Sequence, residues 1–325
     1  MLLAFMIALF CCLAAERSAV AQSSGTQRPR GAAKAYAGFD SNLYPGDGQL
    51  RQLRRSFDYA GYWLNPPPGA TAATWAGKRA VLEERGFGFL VLFNGRLEKE
   101  IKALGSDLET HPPAQGQAAS VSGSAVPGPA AAALGAADAK LAVAAARREG
   151  FPGNTIVFLD QEEGGRLTAD QSAYLFAWAD GVRAAGFRAG VYCSGIEVPD
   201  GKGTISTADD IAAKSASAGV AKVVDPNSPP IALWVYNDEC PPSPGCALPS
   251  HPPDPALSGA ASALVWQYAQ SPRRKPIANR CPGYREVDNN CYPPNAQPDS
   301  QPRPQTFVDL DTSTSPDPSH GRGQR

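Results

Sequence analysis

Eight short apolar segments recur along this chain, at 36–40, 57–63, 88–93, 155–160, 188–193, 231–236, 263–268 and 306–310, with helical patterns between most of them. The third, Gly88-Phe-Leu-Val-Leu-Phe93, is apolar on both faces, as a strand covered on both sides must be. Helical patterns fall at 49–56, 74–85, 131–148, 168–185 and 208–218, the fourth opened by Thr168 with Asp170 and Gln171 in its first turn. Alternation of this kind predicts an α/β protein built as a (β/α)8 TIM barrel. Pro- and Cys-rich loops replace helices before the last two strands, so the final third is expected to be irregular. A doubly wound open sheet is the alternative.

The 325 residues carry a formal net charge of −1, which offers nothing to a polyanion such as nucleic acid. Met1 to Ala15 is an apolar run too short to span a bilayer, and Ala19-Val-Ala21-Gln22 fits a small-x-small cleavage pattern. The expected organisation is a signal peptide at 1–21, a disordered leader at 22–34 and a barrel at 35–311. An insertion interrupts the barrel at about 105–130, and a disordered polar tail occupies 312–325. No Lys or Arg precedes the apolar run, so the segment is either cleaved, giving a secreted or periplasmic protein, or kept as an anchor. Five cysteines follow it. Cys240 with Cys246, and Cys281 with Cys291, each bracket a short loop, which predicts two local disulfides and leaves Cys193 as a buried thiol. Zinc spacing is missing, and His111, His251 and His320 lie in Pro-rich or terminal segments, so neither metal nor other cofactor is expected.

The chemistry is concentrated where the fourth strand ends, in Ile156-Val-Phe-Leu-Asp160-Gln-Glu162-Glu. Residues i and i+2 of a strand share a face, so Asp160 and Glu162 point together while Glu163 turns away. Barrels of this class keep their sites at the C-terminal strand ends, which also brings in Asp40 and Asp309. Four carboxylates in one mouth must bind a cation, share protons or meet a substrate that develops positive charge. Glycoside cleavage is the third case, since its oxocarbenium-like transition state needs a protonated acid on the leaving oxygen. Tyr192, Trp234, Tyr236, Trp266 and Tyr268, with Gln267 as a polar handle, are candidates to stack on sugar rings. Glu162 as general acid is expected in a less polar, more crowded place than Asp160.

Gly38-Phe-Asp40, Asp160-x-Glu162, Gly190-Val-Tyr192, Leu233-Trp234, Trp266-Gln-Tyr268 and Val308-Asp-Leu310, in that order, resemble the glycoside hydrolase family 25 lysozymes. More closely still, the set is similar to the exported bacterial glycoside hydrolase-like domains of unknown function. The resemblance implies Glu162 as proton donor, Asp160 as the residue steering the substrate's acetamido group or stabilising positive charge, and Asp40 and Asp309 completing the acidic mouth. It also implies cleavage of β-1,4 bonds of peptidoglycan. A non-catalytic glycan-binding barrel and, more remotely, a metal-dependent hydrolase using the Asp cluster are the other readings.

Overall fold

The computed structural model describes residues 34–110, 128–216, 230–274, 288–293 and 306–323. The signal segment, nearly all of the leader, the centre of the insertion and Cys281 lie outside them. The element order is β1 (Tyr36–Asp40), α1 (Asp47–Leu53), β2 (Tyr59–Trp63), α2 (Arg79–Glu84), β3 (Gly88–Asn94), α3 (Glu98–Thr110), α4 (Pro129–Arg148), β4 (Ile156–Asp160), α5 (Ala169–Ala184) and β5 (Arg188–Ser194). There follow β6 (Val198–Asp200), β7 (Gly203–Ile205), α6 (Thr207–Ala216), β8 (Ala232–Tyr236), a 3-10 turn (Pro255–Ser258), β9 (Ala263–Ala269) and β10 (Asp309–Ser313).

Eight of the strands close in the order β1-β10-β9-β8-β5-β4-β3-β2, which excludes the open sheet; β6 and β7 form a separate hairpin. Among the described residues helices are fewer than in a regular barrel. At the start of α5 the Thr168 hydroxyl accepts from the Gln171 amide while the Gln171 side chain accepts from Thr168, a reciprocal capping box. The helix expected over 74–85 is confined to Arg79–Glu84, because Gly77 adopts φ 75° and breaks the turn before it.

The last strand departs from expectation in direction. β10 runs antiparallel to both β1 and β9, while the other six pairs round the barrel are parallel. A parallel neighbour needs a long crossover, usually helical, whereas an antiparallel one can follow a loop, and no helix among the described residues separates β9 from β10. Asp309 therefore opens its strand instead of ending it. It still reaches the same mouth, because reversal sets it directly opposite Asp40, with Asp311 opposite Gly38.

Barrel-lining residues alternate as the pleat requires. Two glycines make room for the larger ones: a side chain at Gly38 would enter the Tyr59 ring, 2.0 Å from its nearest atom, and one at Gly61 would strike Asp40 Cβ at 2.5 Å. Phe158, Tyr192 and Trp234 meet edge to face deeper inside.

The expected disordered tail is instead a strap beneath the barrel. Asp317 Oδ1 accepts from the Phe89 amide (2.8 Å), Ser319 Oγ from the Val91 amide (2.8 Å) and the Ser319 carbonyl from the Ile156 amide (2.8 Å). Strand-end amides that would otherwise be unpaired are thus satisfied by the chain terminus. The disulfide pairing is also corrected. Cys246 is bonded to Cys291, 45 residues away with Cα atoms 5.1 Å apart, which excludes both Cys240–Cys246 and Cys281–Cys291. Cys240 is itself disulfide-bonded, and Cys193 is free and buried. The Cys246–Cys291 bridge joins the loop after β8 to the segment before β10, two stretches that flank β9 in the barrel.

Candidate active site

Asp40, Asp160, Asp309 and Glu162 all stand at the C-terminal mouth of the parallel strands. Asp40 is 5 % and Asp160 6 % exposed, whereas Glu162 is exposed at the rim. The expected order of burial is reversed: Asp160, as the last residue of β4, points into the barrel, and Glu162 lies two residues beyond the strand. Burial pushes the Asp160 carboxyl well above the ordinary range, and the charges of Glu162 and Asp40 add to the push. Its Oδ1 has no hydrogen-bond partner among the described residues. Glu162 is raised too, by partial burial first, with Arg274 opposing and Glu163 reinforcing.

Glu163 points elsewhere. Its Oε2 accepts from the Glu98 amide (2.8 Å) and from Gln171 Nε2 (2.6 Å), tying the β4 loop to the starts of α3 and α5.

Opposite this loop the remaining acids form one connected group. Gln267 Nε2 donates to Asp40 Oδ2 at 2.8 Å and makes a longer contact of 3.4 Å to Asp309 Oδ2. The Ser271 amide donates to Asp309 Oδ1 (2.6 Å), and Trp234 Nε1 to Asp311 Oδ1 (3.1 Å). Burial raises Asp40 to about 6, with hydrogen bonds from Gln267 and Asp311 restraining it. Asp309 and Asp311 are pushed well above the usual range, first by burial and then by Asp40. Raised proton affinities of this kind let neighbouring carboxyl groups stand together without all of them carrying charge. Among the described residues no group of three or more His, Cys, Asp or Glu is arranged to hold a metal ion.

The predicted aromatic residues divide by strand parity. Tyr192, Trp234 and Tyr236 are on the inner face: the Tyr192 hydroxyl donates to Gln267 Oε1 (2.7 Å), and the Tyr236 hydroxyl to the Glu162 carbonyl (2.9 Å). Trp266 and Tyr268 are fully buried on the outer face, as Gln267 between them points inward. Trp266 Nε1 donates to the Asn237 carbonyl (2.8 Å), and the Tyr268 hydroxyl makes a 3.4 Å contact with the Ala247 carbonyl. These two pack the barrel against its loops and do not line the mouth.

Three participants are absent from the sequence reading. Asp311 repeats, with Asp309, the same i, i+2 acidic spacing as Asp160 and Glu162, a signal obscured by placing the strand end at Leu310. Gln270 lies three residues past Gln267. Arg274 stacks over the Tyr236 ring at 4.2 Å and lies 3.7 Å from Asp238, the described cation that bears on both Glu162 and Asp309.

Two hollows open at the mouth. One, of about 520 Å³, has Asp40 and Asp309 among its lining residues together with Leu43, Tyr44, Pro272 and Phe307. The other, about 170 Å³, takes in Asp160, Glu162, Asn94 and Arg96. Arg96 is held by a two-pronged bond to buried Asp138, at 2.6 and 2.8 Å.

Closed barrels of this kind keep their sites at the C-terminal strand ends, and gathered carboxyl groups there are compatible with glycoside hydrolysis among other chemistries. Residues 83–234 match the family model of the Rv2525c-like, glycoside hydrolase-like domain, a stretch that contains both Asp160 and Glu162. No curated protein matches the chain. Among solved structures, it is similar to an uncharacterised B. stearothermophilus protein (21% identity, 85% of this chain and 94% of the other, TM-score 0.48). It is also similar to the Tat-secreted protein Rv2525c of Mycobacterium tuberculosis (12% identity, 87% and 96%, TM-score 0.42). The modular autolysin LytC of Streptococcus pneumoniae matches at 13% identity over 86% of this chain and 46% of its own, with TM-score 0.40.

Proposed function

We propose that this protein is an exported glycoside hydrolase that cleaves β-1,4 bonds of peptidoglycan or a related cell-wall glycan, with Glu162 as the proton donor. The observation that carries this reading is the Asp160–Glu162 pair: one acid at the rim of an open hollow, the other buried beneath it, each raising the proton affinity of the mouth. Both acids are raised, Asp160 the more strongly because it is the more deeply buried. The reading requires a bound glycan to leave the proton on Glu162 and the charge on Asp160, so that a neutral acid protonates the leaving oxygen and an anion meets the developing oxocarbenium charge or steers the 2-acetamido group. The glycan lies across the mouth, over the hollow walled by Leu43 and Phe307. Export is supported by the apolar leader and the Cys246–Cys291 disulfide.

The test is incubation of mature protein with peptidoglycan and assay for new reducing ends. Glu162→Gln keeps the shape and removes the proton, so hydrolysis is expected to fall by about 10² to 10⁴, the usual share of acid catalysis. Glu163→Gln retains most activity. Loss of hydrolysis in Glu163→Gln with Glu162→Gln unaffected would reject the assignment.

A second reading, a glycan-binding barrel without catalysis, is favoured by one observation. Asp40 and Asp309 are already engaged with Gln267 and Ser271, so most of the acid set is occupied by the protein itself. Glycan binding by the wild type with no new reducing ends would select it.

A further inference from the structure

A chain of hydrogen bonds runs from the edge of the mouth to its acids, and its polarity is fixed from one end. Arg274 Nε donates to Gln270 Oε1 at 2.5 Å. Gln270 Nε2 donates to the Tyr192 hydroxyl (3.0 Å) and to Gln267 Oε1 (2.9 Å). Gln267 Nε2 donates in turn to Asp40, with the longer contact to Asp309. A guanidinium has no acceptor, so Gln270 must offer Arg274 its carbonyl and turn its amino group inward. Gln267 then receives at its carbonyl and is left with its amino group facing the carboxyl groups.

We propose that Arg274 is a positioning residue that, through Gln270 and Gln267, aims two amide donors at the acid mouth and so keeps the Asp40 carboxylate ionisable. Without the cation-side donor, Gln270 and Gln267 are free to turn over together. Gln267 would then present its oxygen to Asp40, a contact that only a protonated carboxyl can satisfy.

The other groups facing Asp40 oppose its ionisation. Asp309 and Asp311 on β10 and Asp160 on β4 are acids, and Tyr59 and Tyr192 carry no positive charge. The proton shared with Asp311 is the exception, since as a hydrogen bond it assists the Asp40 anion. Around Arg274 itself stand Asp238, Asp309 and Glu162, so its charge is already compensated and its specific contribution is the direction of the bonds it donates.

The role of this relay in catalysis rests on the glycoside hydrolase reading, while the relay itself is read by titration. Carboxyl carbon NMR of Asp40 is followed against pH in the wild type and in Arg274→Met, Arg274→Lys and Gln270→Leu. Arg274→Met and Gln270→Leu each raise the Asp40 midpoint by about one pH unit, the worth of one hydrogen bond to a charged group. Arg274→Lys, donor-only like arginine, holds it near the wild-type value. An unmoved midpoint in Arg274→Met overturns the proposal. So does a shift in Arg274→Met that Gln270→Leu fails to reproduce, since charge alone would then explain it. Should either variant fail to fold, the proposal still falls if Arg274→Lys shifts the midpoint as far as the surviving neutral variant does. A protein that titrates as expected yet releases no reducing ends would sink the hydrolase reading alone.

Discussion

Asp40 and Asp309 are direct partners across the antiparallel β1–β10 pair, so backbone hydrogen bonds hold two carboxyl groups together that like charge would separate. Strand reversal at β10 produces this geometry and adds Asp311 one pleat further in. The consequence is a group of acids whose proton affinity is higher in the fold than in the unfolded chain.

Stability should therefore decline as the pH rises. Asp40 goes from an ordinary 3.8 to about 6 on folding. Its stabilising contribution is complete below 3.8 and is lost as the pH climbs through about 6, a change on the order of 3 kcal/mol by linkage. Asp160, Asp309 and Asp311 act in the same direction. Thermal denaturation is expected to give a higher Tm at pH 5 than at pH 8. Asp311→Asn, whose amide can donate to Asp40 as the protonated acid does, should raise Tm at pH 8 and flatten the slope. An identical slope in the variant would rule out this account.

Sugar contact should depend on the rim and not on the strand-nine aromatics. Leu43 is 61% and Phe307 42% exposed, on a hollow whose lining includes Asp40 and Asp309. Apolar walls beside carboxyl acceptors suit a sugar, which has a C–H face and hydroxyl donors. In calorimetric titration with an N-acetylglucosamine tetramer, Phe307→Ala and Leu43→Ser each weaken binding about tenfold, equivalent to about 1.4 kcal/mol. Unchanged affinity in both would move the glycan site elsewhere.

Much of this was legible in the sequence, and what was not had physical reasons. Apolar runs with helical spacers point to a barrel, and the inward direction of Asp160 follows from strand parity, whereas Glu162 lies beyond the strand end where parity no longer applies. Strand direction does not follow from parity, because an alternating strand reads the same both ways; the Pro- and Cys-rich sequence before β10, in place of a helical pattern, was the clue that its partner need not be parallel. Trp266-Gln-Tyr268 is aromatic on both sides of Gln267, and parity alone cannot say which face is inside until Gln267 is seen bonded to Asp40. Cysteine spacing favoured neighbours in sequence, whereas the Cys246–Cys291 bridge joins neighbours around β9. The polar tail lacked any apolar pattern because it binds through backbone amides.

Trp266 is expected to act on stability alone. It is fully buried, with its indole nitrogen bonded to the Asn237 carbonyl. Trp266→Ala should cost about 3 to 5 kcal/mol in urea denaturation, the range for deleting a large core side chain. At temperatures where the variant is folded, tetramer affinity should match the wild type. A folded variant that has lost affinity would return Trp266 to the mouth.

The C-terminal strap gives the last prediction. Asp317 accepts from the amides of Phe89 (2.8 Å), Gly321 (3.2 Å) and Arg322 (3.0 Å), so one carboxylate satisfies three backbone donors at the base of β3. Gly88 faces the strap so closely that a side chain there would lie 2.0 Å from the Pro316 carbonyl. Hydrogen bonds to a charged group are worth about 1.5 to 3 kcal/mol net each, less where water can replace the acceptor as at half-buried Asp317. Asp317→Ala should therefore destabilise by about 2 to 4 kcal/mol overall. Asp317→Asn, retaining an acceptor without the charge, should lose less. Hydrogen exchange is expected to quicken first at Phe89, Val91 and Ile156, the three strand amides that the strap covers. Wild-type protection of those amides in Asp317→Ala would mean that the strap is held by its other contacts, chiefly Ser319 and Arg322.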